Sequence, residues 1–258
     1  MTELAQRIRD TTVRPGQLAV FYLAQAGFCF KTWRARVVAI DPYLTDCCNR
    51  LFGFRRMIPA VIAPEELEAD IVASTHAHAD HLDPDAAPIL ARHPKTHFLG
   101  APDCEAMYRG IGLPRERYSI VKRNQTAVVN GIEFRGVFAD HGELAPDAIG
   151  LLIDFDGIRV YDVGDSAYAP DEIRQSLGGR VDIMISPING QFGNMNADET
   201  CQLAAMVRPR LLIASHFWMF IEHGGDPARF LEAAKELAAG IDALVMAPGE
   251  RVIFAKDR

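Results

Sequence analysis

The stretch Ser74-Thr75-His76-Ala77-His78-Ala79-Asp80-His81 packs three imidazoles and a carboxylate into a short segment directly after an apolar run, Ile71–Thr75. In extended chain, residues two apart project to the same side, so His76 and His78 can grip one ion. Asp80 and His81 come as the chain turns into the next helix and face a second ion beside the first. Imidazoles and carboxylates are ligands that borderline divalent metals accept. Gathering that many titratable groups away from water without a cation is expensive.

A two-metal centre needs further ligands, and each candidate falls just beyond another apolar run. His141 follows Phe134–Ala139, with Asp140 beside it as the alternative ligand. Asp165 follows Val160–Val163 through Gly164, and His216 follows Leu211–Ser215. Five of the eight histidines fall in this scheme.

The elements that must carry these residues read as strands with helices between. Leu18–Leu23, Gly27–Thr32 and Arg36–Ile40 are rich in Val, Ile, Phe and Tyr, and Ile71–Thr75 and Thr96–Leu99 are further strands. Residues 45–64 read as a long loop, with a short helix opening at Pro64, and helices are expected near 83–92 and 103–109. Asn130-Gly131 and Asp156-Gly157 supply positive φ cheaply and join two hairpins, Thr126–Val129 to Ile132–Ala139 and Gly150–Phe155 to Ile158–Val163. Val181–Ser186 is a buried strand. Asn196 with Glu199 three residues on forms a capping box for a helix that Pro209 stops. Asp226-Pro227 starts another, with Phe230, Leu231, Ala234 and Leu237 on one face and Gly240 at its end. Ala243–Ala247 and Arg251–Phe254 close the chain as strands. Hairpins mixed with βα units predict a mixed sheet with outer helices, and the whole chain, residues 1–258, reads as one domain.

Composition narrows the class. The chain has 258 residues, with 27 Lys+Arg against 34 Asp+Glu and a formal net charge of −7. This acidity argues against nucleic acid or an anionic membrane as the main partner. No apolar run approaches the ~18–20 residues of a membrane helix. The polar start is unlike a signal peptide, and the five cysteines have no Cys-x-x-Cys spacing, so a reducing cytoplasm is expected.

Thr75-His76-Ala77-His78-Ala79-Asp80-His81 resembles the signature of the metallo-β-lactamase superfamily, and Val163-Gly164-Asp165-Ser166 resembles its bridging-aspartate motif. Tyr22–Phe28, Ala39–Leu44 and Ile185–Gly190 are similar to the branch that includes L-ascorbate-6-phosphate lactonase. The resemblance implies an αββα sandwich, two mixed β-sheets flanked by helices, with the metals at one edge. It implies metal ligands at His76, His78, Asp80, His81, His141, Asp165 and His216, with Asp165 bridging the ions and Asp80 also moving protons. Two divalent ions ~3.5–4 Å apart share a water whose pKa drops from near 16 towards about 7. The expected reaction is hydrolysis of a small ester or lactone, such as a phosphorylated sugar lactone. The alternative is a phosphodiesterase or nuclease of the same fold. A diiron redox protein and a non-catalytic relic are more distant readings.

The ligand types accept zinc, manganese or iron. Asp41 and Asp83 are candidates to orient the histidines, and Asp83 serves equally as a helix cap. Arg55 and Arg56 suit an anionic substrate, the alternative being solvated surface. Asn189 could reach the pocket from a strand exit, with Gln25 and Tyr43 weaker candidates of the same sort. His223 lines the mouth or lies on the surface, while His93 and His97 have no chemical role. Phe217-Trp218-Met219-Phe220 either walls the pocket or packs in the core. A homo-oligomer is compatible with this reading.

Overall fold

The computed structural model describes residues 1–256. Its first sheet has seven strands in the spatial order β14-β1-β2-β3-β4-β5-β6. They span β1 Gln17–Ala24, β2 Gly27–Thr32, β3 Val37–Ile40, β4 Ile71–Ser74, β5 His97–Gly100, β6 Tyr118–Ile120 and β14 Arg251–Ala255. The second sheet, also of seven strands, runs β13-β12-β11-β10-β9-β8-β7. Its members are β7 Thr126–Val129, β8 Ile132–Phe138, β9 Ile149–Phe155, β10 Ile158–Asp162, β11 Ile183–Pro187, β12 Leu211–Ser215 and β13 Asp242–Leu244. Each sheet begins as an antiparallel meander and ends in parallel strands joined by crossovers. The architecture is two mixed sheets flanked by helices: the residue pattern predicts mixed pairing with outer helices, and the family resemblance implies the second sheet.

Apolar side chains from both sheets fill the space between them. Phe30 of β2 meets Phe155 of β9 with ring centroids 5.2 Å apart, while Phe28 stacks beside Phe30. Burying each such ring stabilises the fold by about 1.5–3 kcal/mol. Outside lie α1 Glu3–Asp10, α2 Cys47–Phe52, α3 Ala87–Leu90, α4 Glu105–Gly110, α5 Pro170–Leu177, α6 Ala197–Val207 and α7 Pro227–Leu237. The Asn196–Glu199 capping box is present, and Arg208 ends α6 in the left-handed region just before Pro209.

Several elements differ from expectation. The polar N-terminus, which lies outside the expected elements, forms α1: Thr2 caps it and it buries Leu4, Ala5 and Ile8. Lys31 Nζ, on β2, donates to the Ile8 and Arg9 carbonyls at the helix end. α2 interrupts the loop expected over 45–64, and α5 and β6 add to the expected elements. The helix near 83–92 shortens to α3, with Pro84 and Pro88 both falling in that segment. α7 buries Phe230, Ala233 and Ala234, leaving Leu231 and Leu237 exposed.

Strand direction positions the chemistry. β1, β3 and β4 run the same way in one sheet, as do β8, β10 and β12 in the other. Their C-terminal ends therefore deliver Gln25, Asp41, the His76–His81 segment, His141, Asp165 and His216 to one edge of the sandwich. The two sheets join there: Ile149 N donates to the Thr75 carbonyl, and His216 N donates to the Gln25 carbonyl.

Candidate metal centre

His76, His78 and His141 present ring nitrogens that all lie within 4.8 Å of one another. Partners set the tautomers of the first two. Thr75 Oγ1 donates to Asp41 Oδ2 at 2.6 Å, so it accepts from His76 Nδ1 at 3.1 Å. His78 Nε2 donates to the Leu144 carbonyl at 3.1 Å. The remaining atoms, His76 Nε2 and His78 Nδ1, then face each other as bare lone pairs 2.9 Å apart. Two acceptors at that separation repel unless a cation lies against both. His141 turns its Nε2 towards Asp165 Oδ2, 3.7 Å away, whereas Asp140 is exposed and accepts from Gly142 N.

Beside this trio, Asp80, His81, Asp165 and His216 form a second group. Asp165 Oδ1 lies 3.3 Å from both His81 Nε2 and His216 Nε2. Asp80 Oδ2 is 3.7 Å from His81 Nε2 and 3.5 Å from His216 Nε2. His81 Nδ1 donates to Asp41 Oδ2 at 2.7 Å, which leaves Nε2 for the centre. His81 Nε2 and Asp165 Oδ1 are buried and face each other without a well-aligned hydrogen bond. Buried polar atoms so placed, beside facing lone pairs, fit the binding of divalent metal.

The two groups differ in charge. Burial, reinforced by His81, pushes the His76 imidazole well below its ordinary range, and burial also lowers His141. In the second group burial opposes ionisation but is outweighed. Asp165 and Asp41 hold His81 well up, and Asp165 raises His216 to about 9. Asp165 and Asp80 are in turn held well below the usual carboxylate range by those imidazoles. The carboxylates thus favour the protonated forms of His81 and His216, a compensation of the kind a divalent ion supplies.

Asp41 is the orienting residue, buried at a φ of 45°. Asp83 instead accepts from the backbone of Leu44, Thr45, Asp85 and Ala86, and so clamps a loop to the following turn. Gln25 is closer to the chemistry than its sequence signal suggested: its Nε2 lies 2.7 Å from Asp80 Oδ2 and 3.1 Å from His223 Nδ1. His223 is not a surface residue. It is buried, stacks on His216 at 4.7 Å, and is pushed down to about 3 by burial and by His216. A backbone bond from Trp218 N to Gly224 O closes the loop that brings it back over the centre, a closure with no local signature. Gln25, Asp41 and His216 all have positive φ, strain that persists where surrounding structure enforces it.

A cleft of about 310 Å³ opens above, with His78, Asp80, His141, Asp165, His216 and His223 as its floor. Its wall is apolar: Phe52, Phe54, Leu144, Phe192 and Phe220, beside Cys48 and Ala79. Among the described residues no lysine or arginine lines it. Arg56 donates to the Tyr43, Thr45 and Ile58 carbonyls and lies over the Tyr43 ring, while Arg55 is exposed. Asn189 is buried outside the cleft lining, its Nδ2 donating to Gln191 O. His93 and His97 lie apart from the centre and bond to Thr96 and Ser119. Of the aromatic segment, Phe220 walls the cleft, Phe217 packs in the core, and Trp218 is exposed.

Residues 39–217 match the Beta-lactamase superfamily domain, and the chain belongs to the metallo-β-lactamase superfamily. Within it the chain belongs to the UPF0173 metal-dependent hydrolase family. It is 30% identical over 227 residues to such a protein from Thermoplasma acidophilum, covering 85% of this chain and 91% of that one. A second, from Archaeoglobus fulgidus, is 28% identical over 251 residues, 93% of this chain and all (100%) of its own. Among solved structures, Igni18, a metallo hydrolase of Ignicoccus hospitalis, shares the fold with a TM-score of 0.76 at 21% identity, covering 92% of this chain and 98% of that one. No helix among the described residues is long and apolar enough to cross a membrane.

Proposed function

We propose that this protein hydrolyses a carboxylic ester or lactone of a small molecule, using two divalent ions. His76, His78 and His141 would hold one and Asp80, His81 and His216 the other, with Asp165 shared. The observation that carries this reading is the pair of facing lone pairs, 2.9 Å apart, beneath a cleft that His78 lines at its floor and whose wall is apolar. Such ions, when bound, make hydroxide available near neutral pH and polarise an acyl oxygen; zinc, manganese and iron all suit these ligands.

The chain's own groups do the rest. In hydrolysis the acyl carbon–oxygen bond breaks, the oxygen of water joins the acyl carbon, and a proton must reach the departing alkoxide. Asp80 lies on the cleft floor, and the family resemblance supports it as the group that takes that proton from water and hands it on. Gln25 fixes Asp80 by donating to Oδ2. The phenyl wall limits competing water above the reacting bond. The resemblance to the ascorbate-phosphate lactonase branch supports the choice of bond, and keeps a phosphorylated sugar lactone among the substrates to be tried. The acidic net charge supports action without a nucleic acid or membrane partner, and the lack of Cys-x-x-Cys spacing supports a reducing, cytoplasmic setting.

Metal analysis of the purified protein, then assays on esters, lactones and bis-p-nitrophenyl phosphate with and without chelator, test this. Two ions per chain and chelator-sensitive ester or lactone turnover are expected. A strong preference for the phosphodiester would replace the reading with a phosphodiesterase.

A further inference from the structure

We propose that the acyl half of the substrate is neutral and apolar, an aryl ring or a short alkyl chain seated between Phe54, Phe192 and Phe220. The inference rests on the ester or lactone reading above and specifies its substrate class.

Polar atoms in the cleft are confined to the floor, where the reacting bond would lie. Beyond the floor a substituent meets phenyl and alkyl side chains, with the Cys48 thiol beside them. Phe54 is the hub, with ring centroids 6.0 Å from Phe192, 5.8 Å from Phe220 and 6.2 Å from Phe52. A phosphate or carboxylate carried away from the reacting bond would enter this ring of phenyl groups without a counter-charge, because no lysine or arginine among the described residues lines the cleft and Arg56 Nε and Nη1 donate to backbone carbonyls outside it. Desolvating an ion without a partner is strongly unfavourable, whereas each buried methylene gains about 0.8 kcal/mol.

The rim adds a second observation. Phe52, Leu144 and Phe192 are 61%, 58% and 44% exposed, large apolar groups gathered at one opening. Such clustering marks a surface built for contact. Phe192 is also held at a φ of 54°, a conformation a bulky residue rarely adopts, between Gly190 and Gly193, both at positive φ. Backbone strain that sets an exposed phenyl at the mouth is the kind retained for ligand contact.

The test uses metal-loaded protein with p-nitrophenyl acetate, butyrate and hexanoate, γ-butyrolactone and γ-octalactone, and 6-phosphogluconolactone. The expected result is kcat/KM rising roughly fourfold per added methylene until the cleft is filled, with the phosphorylated lactone the poorest of the lactones. Phe192→Gly removes the ring while suiting the positive φ, and Phe54→Ala removes the hub. Each should cut the hexanoate-to-acetate ratio at least about tenfold. A flat or falling chain-length profile, or a preference for the phosphorylated lactone, would overturn the proposal. Calorimetric binding of N-methylacetamide and N-methylhexanamide separates the two readings. If no ester or lactone is turned over but the longer amide binds more tightly, the bond assignment fails and the apolar site stands. Equal binding of the two amides would sink the apolar site itself.

Discussion

Asp41 and His81 are joined by a hydrogen bond of 2.7 Å between Oδ2 and Nδ1, both side chains fully buried. The same carboxylate takes the Thr75 hydroxyl and Thr75 N, so a single acid orients two histidines, one directly and one through Thr75. Asp41→Asn replaces one accepting oxygen by an NH₂ group that cannot serve both. Metal affinity should fall about 10–100-fold, measured by competition with a coloured chelator. Unaltered affinity would mean that packing alone orients the two rings.

His78→Ala removes one of the two facing lone pairs and should leave one ion per chain in place of two. Asp165→Ala removes the shared ligand and should weaken both. In each variant turnover should fall at least about a hundredfold while circular dichroism stays that of the folded protein. Full activity in either would refute the ligand assignment.

Gln25→Ala unties Asp80 from His223 without removing a proposed metal ligand. kcat should fall about 10–100-fold, with metal content unchanged, because a proton carrier displaced by a fraction of an ångström works poorly. Metal analysis and steady-state kinetics on one preparation check this, and loss of an ion would show that Gln25 is itself a ligand.

The pH dependence of the metal-free protein follows from His216. Its folded value is about 9 against an ordinary 6.5, and a raised imidazole contributes stability that is fully present below pH 6.5. That contribution is lost as pH rises through 9, and His81, shifted the same way, adds to the loss. Melting temperature should therefore drop between these limits without metal. Loaded protein should lack that slope, since ligation already requires the deprotonated rings. Paired thermal melts across the range, with proton release measured on metal addition, decide the matter.

Gly164 leads into Asp165 at a φ of 65°, and a Cβ there would lie 2.9 Å from the Ile149 carbonyl and 3.1 Å from Thr75. Gly164→Ala should cost about 1–3 kcal/mol of stability and also weaken metal binding, because relief of the clash moves Asp165. Urea unfolding gives the first quantity and chelator competition the second.

Much of the centre was legible because its ligands sit at strand exits, and strands announce themselves through apolar runs. Leu211–Ser215 matches β12 residue for residue, which puts His216 at its exit. What escaped was set by distant packing. α1 has too few apolar residues to read as a helix alone and depends on Lys31 for its end. The buried face of α7 is rotated towards Ala233 because small residues let it approach α6 closely. Arg56 looked like half of an exposed basic pair, yet three carbonyls turn it inward. His223 enters the site only through a loop that doubles back on itself.

The position of the centre, astride the seam between the two sheets, ties catalysis to cohesion. Ions gripped from both halves would act as rivets, and their binding free energy would add to the work of prising the sandwich apart. Metal starvation would then do more than idle the protein. It would leave a looser molecule, opening more often and offering proteases a way in, so that scarcity of the ion would be read out as a shorter lifetime.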